Sequence, residues 1–416
     1  MTALPVVIVG GGAAGCLAAI AAASAGIPVL LLERTLDGGR KILISGGGRC
    51  NILPSALEPG QFVTDSSTNQ LRKILAGWPL EQQRHFFEHE LDLPLELEEE
   101  SGKLFPRSNR ARDVRDRLMS AARERGAVLR FSALVRDIAP APGGWSIQVE
   151  GADPVRAAAV VLATGGLSVP TTGSDGTGLA IARRLRHVMH PLYPALTPLT
   201  AEPALHAGLA GISLTVLIEG RRQGKPVAAT GGFLFTHRGY SGPAVLDISD
   251  VAVRSRQDGG AREELRVRWG VMDRAGWDTR LQARGAQAVL TVVREQLPAR
   301  LAEVLLAEAG IEPALSISQL PRERRLVLLD LLTRYALPWT GDEGYRKAEV
   351  TGGGVALSEI HSATMESRRH PGLFLCGEML DAFGPIGGYN FAWAWATGRA
   401  AGLGAARHAA GAHNPV

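Results

Sequence analysis

The chain opens with an apolar quartet, Val6-Val7-Ile8-Val9, that breaks at three glycines. It resumes as an alanine-rich stretch over residues 13–25 and returns as Val29-Leu30-Leu31-Leu32. Unbroken apolar quartets predict parallel strands covered on both faces, and the stretch between them predicts a helix. Small residues occupy nearly every side of that helix, which allows a close approach to the sheet. No charged side chain precedes Glu33, a pattern that also suits a membrane span or a signal segment. Gly10-Gly11-Gly12 interrupts the run and no basic flank precedes it, so it reads as a buried strand–helix–strand unit.

Past a glycine-rich loop at 38–51, residues from about 71 to 125 read mostly as helix, broken at Lys103-Leu104-Phe105-Pro106. Short strands are expected at 128–131 and 145–149. Another, at 159–162, runs into Ala163-Thr164-Gly165-Gly166. From about Pro191 the β-branched alternation at 213–218, 231–236 and 265–269 predicts a β-rich insert. Within the insert, 281–332 has a helical period. Glycine-rich turns return near Glu349, and the chain closes with a strand at 372–376 and a small-residue helix after Tyr389. The expected organisation is an α/β domain whose first part is 1–190, an insert over 191–345, and a return over 346–416.

Composition adds limits. The 416 residues are 45% hydrophobic and 21% charged with a net charge of +4, ordinary for a globular chain and weak as a signal for nucleic acid. Three cysteines, far apart, exclude a disulfide framework or zinc site and suit a reducing, cytoplasmic setting. No metal site, membrane span or DNA-binding role is expected. An arginine cluster at 107, 110, 112, 115 and 117 is interleaved with Asp113 and Asp116 and reads as a solvated helix face.

The glycines carry chemistry. Gly10-x-Gly12-x-x-Gly15 lies between a strand and a helix. In that position the first glycine turns the chain, the second admits a pyrophosphate, and the third lets helix and strand touch. The first helical residues, Ala13 and Ala14, offer free N–H groups and a partial positive charge to phosphate. Glu33, followed by Arg34, ends the second strand, where an acid accepts from an adenosine ribose and repels a 2′-phosphate. Far along the chain, Gly377-Glu378 follows an apolar strand, with Asp381 just beyond. Gly387-Gly388-Tyr389-Asn390 opens the last helix. A ribityl hydroxyl suits the Glu378 carboxylate, and a helix start suits the flavin N1–C2=O edge, where negative charge builds on reduction. One extended FAD held by both ends of the chain accounts for both elements, whereas NAD needs only the first.

These blocks, with the stretch 39–51, Leu104-Phe105-Pro106, Ala163-Thr164-Gly165-Gly166, the stretch 235–243, 350–355 and Thr364-Met365-Glu366-Ser367, make the chain similar to the BaiN/RdsA (YhiN-type) family of bacterial flavoproteins. The resemblance implies a glutathione-reductase-type FAD-binding Rossmann-like domain, a barrel-like β insert and a small helical region. It implies flavin contacts at Arg40, Lys41, Ser45, Gly46 and Gly47 and an adenine contact at Val135. Ala163, Thr164 and Gly165 join this cofactor set. Where the family often continues Arg-Cys-Asn with Thr-Asn, this chain has Ile52-Leu53-Pro54.

For chemistry, Cys50 stands beside Arg49, a neighbour that lowers a thiol pKa, and is a candidate proton donor. His237 and Tyr240 in the insert are candidate acid or orienting groups. No second fingerprint is present, so NADH or NADPH is expected to bind transiently as reductant. The family resemblance leaves three acceptor readings open: a small unsaturated metabolite, a uridine of ribosomal RNA, or an RNA-binding role without turnover.

Overall fold

The structure is a computed structural model that describes residues 3–257, 259, 261–282 and 285–412. The chain forms two compact units, one of residues 1–193 with 349–416 and one of 194–348.

The first unit is built on a five-stranded parallel sheet in the order β5–β4–β1–β2–β3. Its strands are β1 (Val6–Val9), β2 (Val29–Leu32), β3 (Val128–Arg130), β4 (Ala159–Leu162) and β5 (Leu373–Leu375). The central strands pair residue for residue, Val6 with Val29 on one side and Ala159 on the other. Every residue of β1 and β4 is buried, which is why both read as unbroken apolar runs. The mixed α/β class and the parallel Rossmann-like sheet agree with the sequence reading.

Two helices from opposite ends of the chain lie together. Helix α1 (Ala13–Ser24) packs against the closing helix α2 (Tyr389–Ala412). The approach is backbone to backbone: a Cβ on Gly398 would stand 2.3 Å from the Ala14 carbonyl oxygen, and one on Gly402 would stand 2.3 Å from that of Ala18. This contact brings the fingerprint and the C-terminal glycine motif into one unit.

The stretch expected to be mostly helical departs from expectation. Helices cover Thr68–Ala76, Leu80–His85 and Ala111–Glu124, but Leu95–Glu98, Lys103–Pro106 and Leu53–Pro54 form a three-stranded antiparallel sheet. Leu95, Leu104 and Phe105 are buried on it, a tertiary demand that local helix propensity does not register. The loop at 38–51 also holds a short helix, Arg40–Ile44. Arg115, read as part of a solvated face, is 8% exposed and bonded to Asp116 and Asp37.

The second unit has its own apolar core. Its seven antiparallel strands include the long hairpin Ser213–Arg222 with Lys225–Thr236, and helices Pro243–Gln257, Arg274–Leu281, Val289–Arg294, Ala299–Glu308 and Arg322–Thr333 accompany them. Helix Pro243–Gln257 lies outside the helical segment expected at 281–332. No helix among the described residues is long and apolar enough to cross a membrane.

Candidate functional site

Gly10 has φ +105°, and a Cβ there would fall 2.5 Å from the Ala163 carbonyl oxygen. A Cβ on Gly15 would fall 1.8 Å from Gly10 O. Gly12 differs: nothing lies within 4 Å of its missing Cβ. The first and third glycines are thus required by packing, and the second opens onto free space. That space is a groove of about 490 Å³ lined wholly by the first unit, a size typical of small-molecule sites. Gly12 is the N-cap of helix α1 and offers no side-chain cap, so the helix's first N–H groups face the groove unspent.

Glu33 is 7% exposed and already oriented. One carboxylate oxygen accepts from Gly11 N–H at 2.6 Å and the other from Thr35 N–H at 2.7 Å. The same side chain therefore shapes the glycine turn and presents its remaining lone pairs to the groove. Arg34 bonds to Asp175 across the rim.

Toward the other end, Glu378 anchors a tight network. Its Oε1 accepts from the Ser168 hydroxyl at 2.6 Å and from the Thr351 N–H and hydroxyl at 3.0 Å each. Its Oε2 accepts from Lys41 Nζ at 2.6 Å, and Lys41 also donates to Ser168 at 2.6 Å. Glu378 was expected as a hydroxyl acceptor for the cofactor. Its oxygens are engaged by protein donors, and it holds Lys41 in place at the groove wall. Gly387 and Gly388 sit against the small antiparallel sheet: a Cβ on Gly388 would meet the Leu53 carbonyl carbon at 2.5 Å. Two groove-lining residues carry buried polar atoms, Thr164 Oγ1 and Asn51 Oδ1, that have no partner among the described residues. Buried polar groups are nearly always satisfied, so these two mark unsatisfied polar ground in the groove wall. Open glycine, free helix N–H groups, an oriented carboxylate and two orphan polar atoms fit an elongated dinucleotide.

Most of the sequence-predicted cofactor residues come together on this groove: Gly10, Gly12, Ala13, Ala14, Glu33, Arg34, Arg40, Lys41, Ser45, Gly46, Gly47, Val135, Ala163, Thr164, Gly165, Gly377, Glu378, Gly387, Gly388 and Asn390. Three others do not line it. Gly15 serves the α1–strand contact. Asp381 is 2% exposed, and its Oδ2 is saturated by Thr64, Asp65 N–H and both the N–H and hydroxyl of Ser66. Tyr389 turns away to pack edge-on with Phe62 and donate to Gln61.

Among the candidate catalytic groups, Cys50 needs correction. Its side chain is fully buried, and burial pushes the thiol up to about 12, with only a hydrogen bond to Ser45 opposing it. The expected lowering by Arg49 is absent, because Arg49 bonds to Glu98 at 2.9 Å and lies over the Phe105 ring. Cys16 and Cys376 are likewise buried with raised pKa. All three thiols of the native protein should therefore resist alkylation at pH about 8, at least a hundredfold or so more slowly than in denaturant. Fast labelling of one native thiol would contradict this.

His237 is exposed in the second unit, in the turn between Lys225–Thr236 and Gly239–Ser241. Tyr240 is buried there and linked to His206 Nδ1 at 2.8 Å, with Tyr335 on His206 Nε2 at 2.9 Å. Burial raises the pKa of both tyrosines, which suits a core network. Lys103, Glu349, Asn51, Ser168 and Thr351 belong to the groove or its network, yet sequence reasoning missed them as site residues. The Thr351-Gly-Gly-Gly block was a usable signal for Thr351; no motif marks Glu349.

A family model described as the HI0933-like protein Rossmann domain matches residues 4–404. The ribosomal RNA dihydrouridine synthase of Escherichia coli K12 is 33% identical over 400 residues, covering 94% of this chain and 95% of that one. The 3-dehydro-bile acid Δ4,6-reductase of Clostridium scindens is 32% identical over 413 residues, covering 96% and 98%. The 3-ketosteroid-Δ4-(5α)-dehydrogenase structure from Rhodococcus jostii RHA1 shares the fold at TM-score 0.50 and 16% identity, covering 97% of this chain and 96% of that one. Matched by that model almost from end to end, and about a third identical to enzymes of reduction, this chain is an oxidoreductase and belongs to the HI0933-like Rossmann-domain family.

Proposed function

We propose that the chain holds one FAD along the groove and reduces a carbon–carbon double bond conjugated to a carbonyl, with NADH or NADPH as transient reductant. The observation that carries this reading is one groove wall shared by the two ends of the chain. Gly12, with the α1 N–H groups, and Gly387-Gly388 line the same space. Bound FAD would supply hydride at its N5 atom.

The chain's own groups divide the remaining work. The α1 N-terminus faces the pyrophosphate and Glu33 the adenosine ribose, with Val135 beside the adenine. Lys41, fixed by Glu378 and Ser168, puts a positive charge near the ribityl and ring end. The helix start at Gly387 and Gly388 suits the N1–C2=O edge.

The acceptor class follows from what two relatives' names share. Dihydrouridine differs from uridine by two hydrogens across a double bond beside a carbonyl, and a Δ4 bond next to a 3-oxo group is conjugated in the same way. Both a uridine in RNA and a small enone fit this description.

The purified chain is expected to be yellow, absorbing near about 450 nm, and to bleach anaerobically with NADH or NADPH. A colourless protein that takes up no added FAD would end the proposal. A yellow protein that neither nucleotide reduces would end only its reductant clause.

A further inference from the structure

Most charged side chains on the groove wall are already committed: Arg34 to Asp175, Arg40 to Asp37, Lys41 to Glu378, and Glu33 to backbone N–H groups. Lys103 and Glu349 line the groove but make no ion pair or side-chain hydrogen bond among the described residues. Their positions are set from two sides. Strand Lys103–Pro106 pairs with Leu53–Pro54, against which Gly388 packs, and Lys103 Cε comes within 3.6 Å of where a Gly387 Cβ would be. Glu349 immediately precedes strand Val350–Val355, which Thr351 ties to Glu378 and so to Lys41. Both groups therefore sit at the Gly387-Gly388 end of the groove.

Glu349 is exposed within the groove, between the buried residues Ala348 and Val350. Desolvation there raises its carboxyl pKa above the usual range, against the pull of Lys103 and then Lys41. A ring system filling this end would remove more water and strengthen that effect.

Resting on the reductase reading above, we propose that Glu349 is the proton donor and Lys103 the oxyanion-holding cation for a conjugated C=C–C=O acceptor. The balance is as follows. The acceptor's β-carbon takes a hydride, with its electron pair, from the reduced cofactor. The double-bond pair shifts toward the carbonyl, whose oxygen becomes an enolate held by Lys103 Nζ. Glu349 then gives its proton to the α-carbon, the C=O reforms, and the carboxylate regains a proton from water. The acceptor gains two hydrogens, and the cofactor is oxidised by two electrons.

Two readouts test this. The first needs no cofactor: denaturant unfolding of the apoprotein, wild type against E349Q, from pH about 4.5 to 8. An acid whose folded pKa is raised costs stability as pH climbs from its unfolded value, about 4.3, through its folded one. E349Q should therefore have the higher midpoint near neutrality, with the gap closing toward pH about 4.5. A gap that does not change with pH overturns the assignment of Glu349.

The second uses the holoprotein. Reduced protein is mixed anaerobically with a uridine oligonucleotide or a 4-en-3-one steroid, and flavin reoxidation is followed. E349Q should slow reoxidation about a hundredfold or more. K103M should weaken binding of p-chlorophenolate, an enolate mimic seen through the flavin spectrum, by at least about tenfold. Whichever acceptor reoxidises the wild type names the source of the conjugated carbonyl. If the wild type reacts and E349Q keeps pace, or K103M binds phenolate equally well, this inference fails and the reductase reading stands. If the wild-type holoprotein reacts with neither acceptor, both fall.

Discussion

Gly12→Asp is expected to give a folded but colourless protein. Nothing lies within 4 Å of the Cβ position at Gly12, so the new side chain costs the fold little. The apoprotein's melting midpoint should stay within about 2 °C of wild type. The carboxylate would project into the groove in front of the uncapped α1 N-terminus, the place read here as the pyrophosphate seat. It would take the free N–H groups for itself and repel the phosphates. FAD affinity should fall at least about a hundredfold, roughly 3 kcal/mol. Titration of apoprotein with FAD, followed by flavin fluorescence, measures this directly. Normal affinity in the variant would remove the pyrophosphate from this helix end and with it the cofactor's orientation.

The largest stability effect is expected at the contact between the chain's two ends. Gly398→Val would drive a side chain into the Ala14 backbone, since even a Cβ lies 2.3 Å from that carbonyl oxygen. Backbone cannot rotate aside as a side chain can, so the two helices must part. Overpacking of flexible cores costs about 1–3 kcal/mol, and this case should exceed about 4. Because α1 carries Ala13 and Ala14 at its start, FAD binding should be lost together with stability. Gly411→Ala on the same helix is the control. Its Cβ meets open space, so the change should be neutral or stabilise by up to about 1 kcal/mol. Equal melting of the Gly398→Val variant and wild type would mean that the helices do not lie together as described.

Much of the fold was legible because burial on both faces leaves an unmistakable trace. Val6–Val9, Val29–Leu32 and 159–162 are apolar at every position, the pattern that a short strand covered on both faces leaves. The strand at 95–98 escaped because it is short and sits between true helices, so local pattern averaged to helix; 103–106 was read as a break in that helix, and its partner 53–54 lies outside the stretch. The groove residues that belong to motifs were found, whereas those that depend on a neighbour were misjudged. Glu378 was placed near the cofactor but not as the anchor of Lys41, since Ser168 and Thr351 are 210 and 27 residues away from it. Cys50 was read from its neighbour in sequence, Arg49, whose guanidinium points to Glu98 instead.

The sequence by itself determined the strand–glycine turn–helix–strand unit, the acid at the end of its second strand, and the glycine-rich closing motif, because each is encoded within a few consecutive residues. Tertiary structure alone decided which charges stay unspent. Pairing depends on side chains meeting across elements far apart in the chain. Lys103 and Glu349 are ordinary surface residues in sequence, and only the packing of the glycine loops around a common groove leaves them facing it without an ion pair among the described residues.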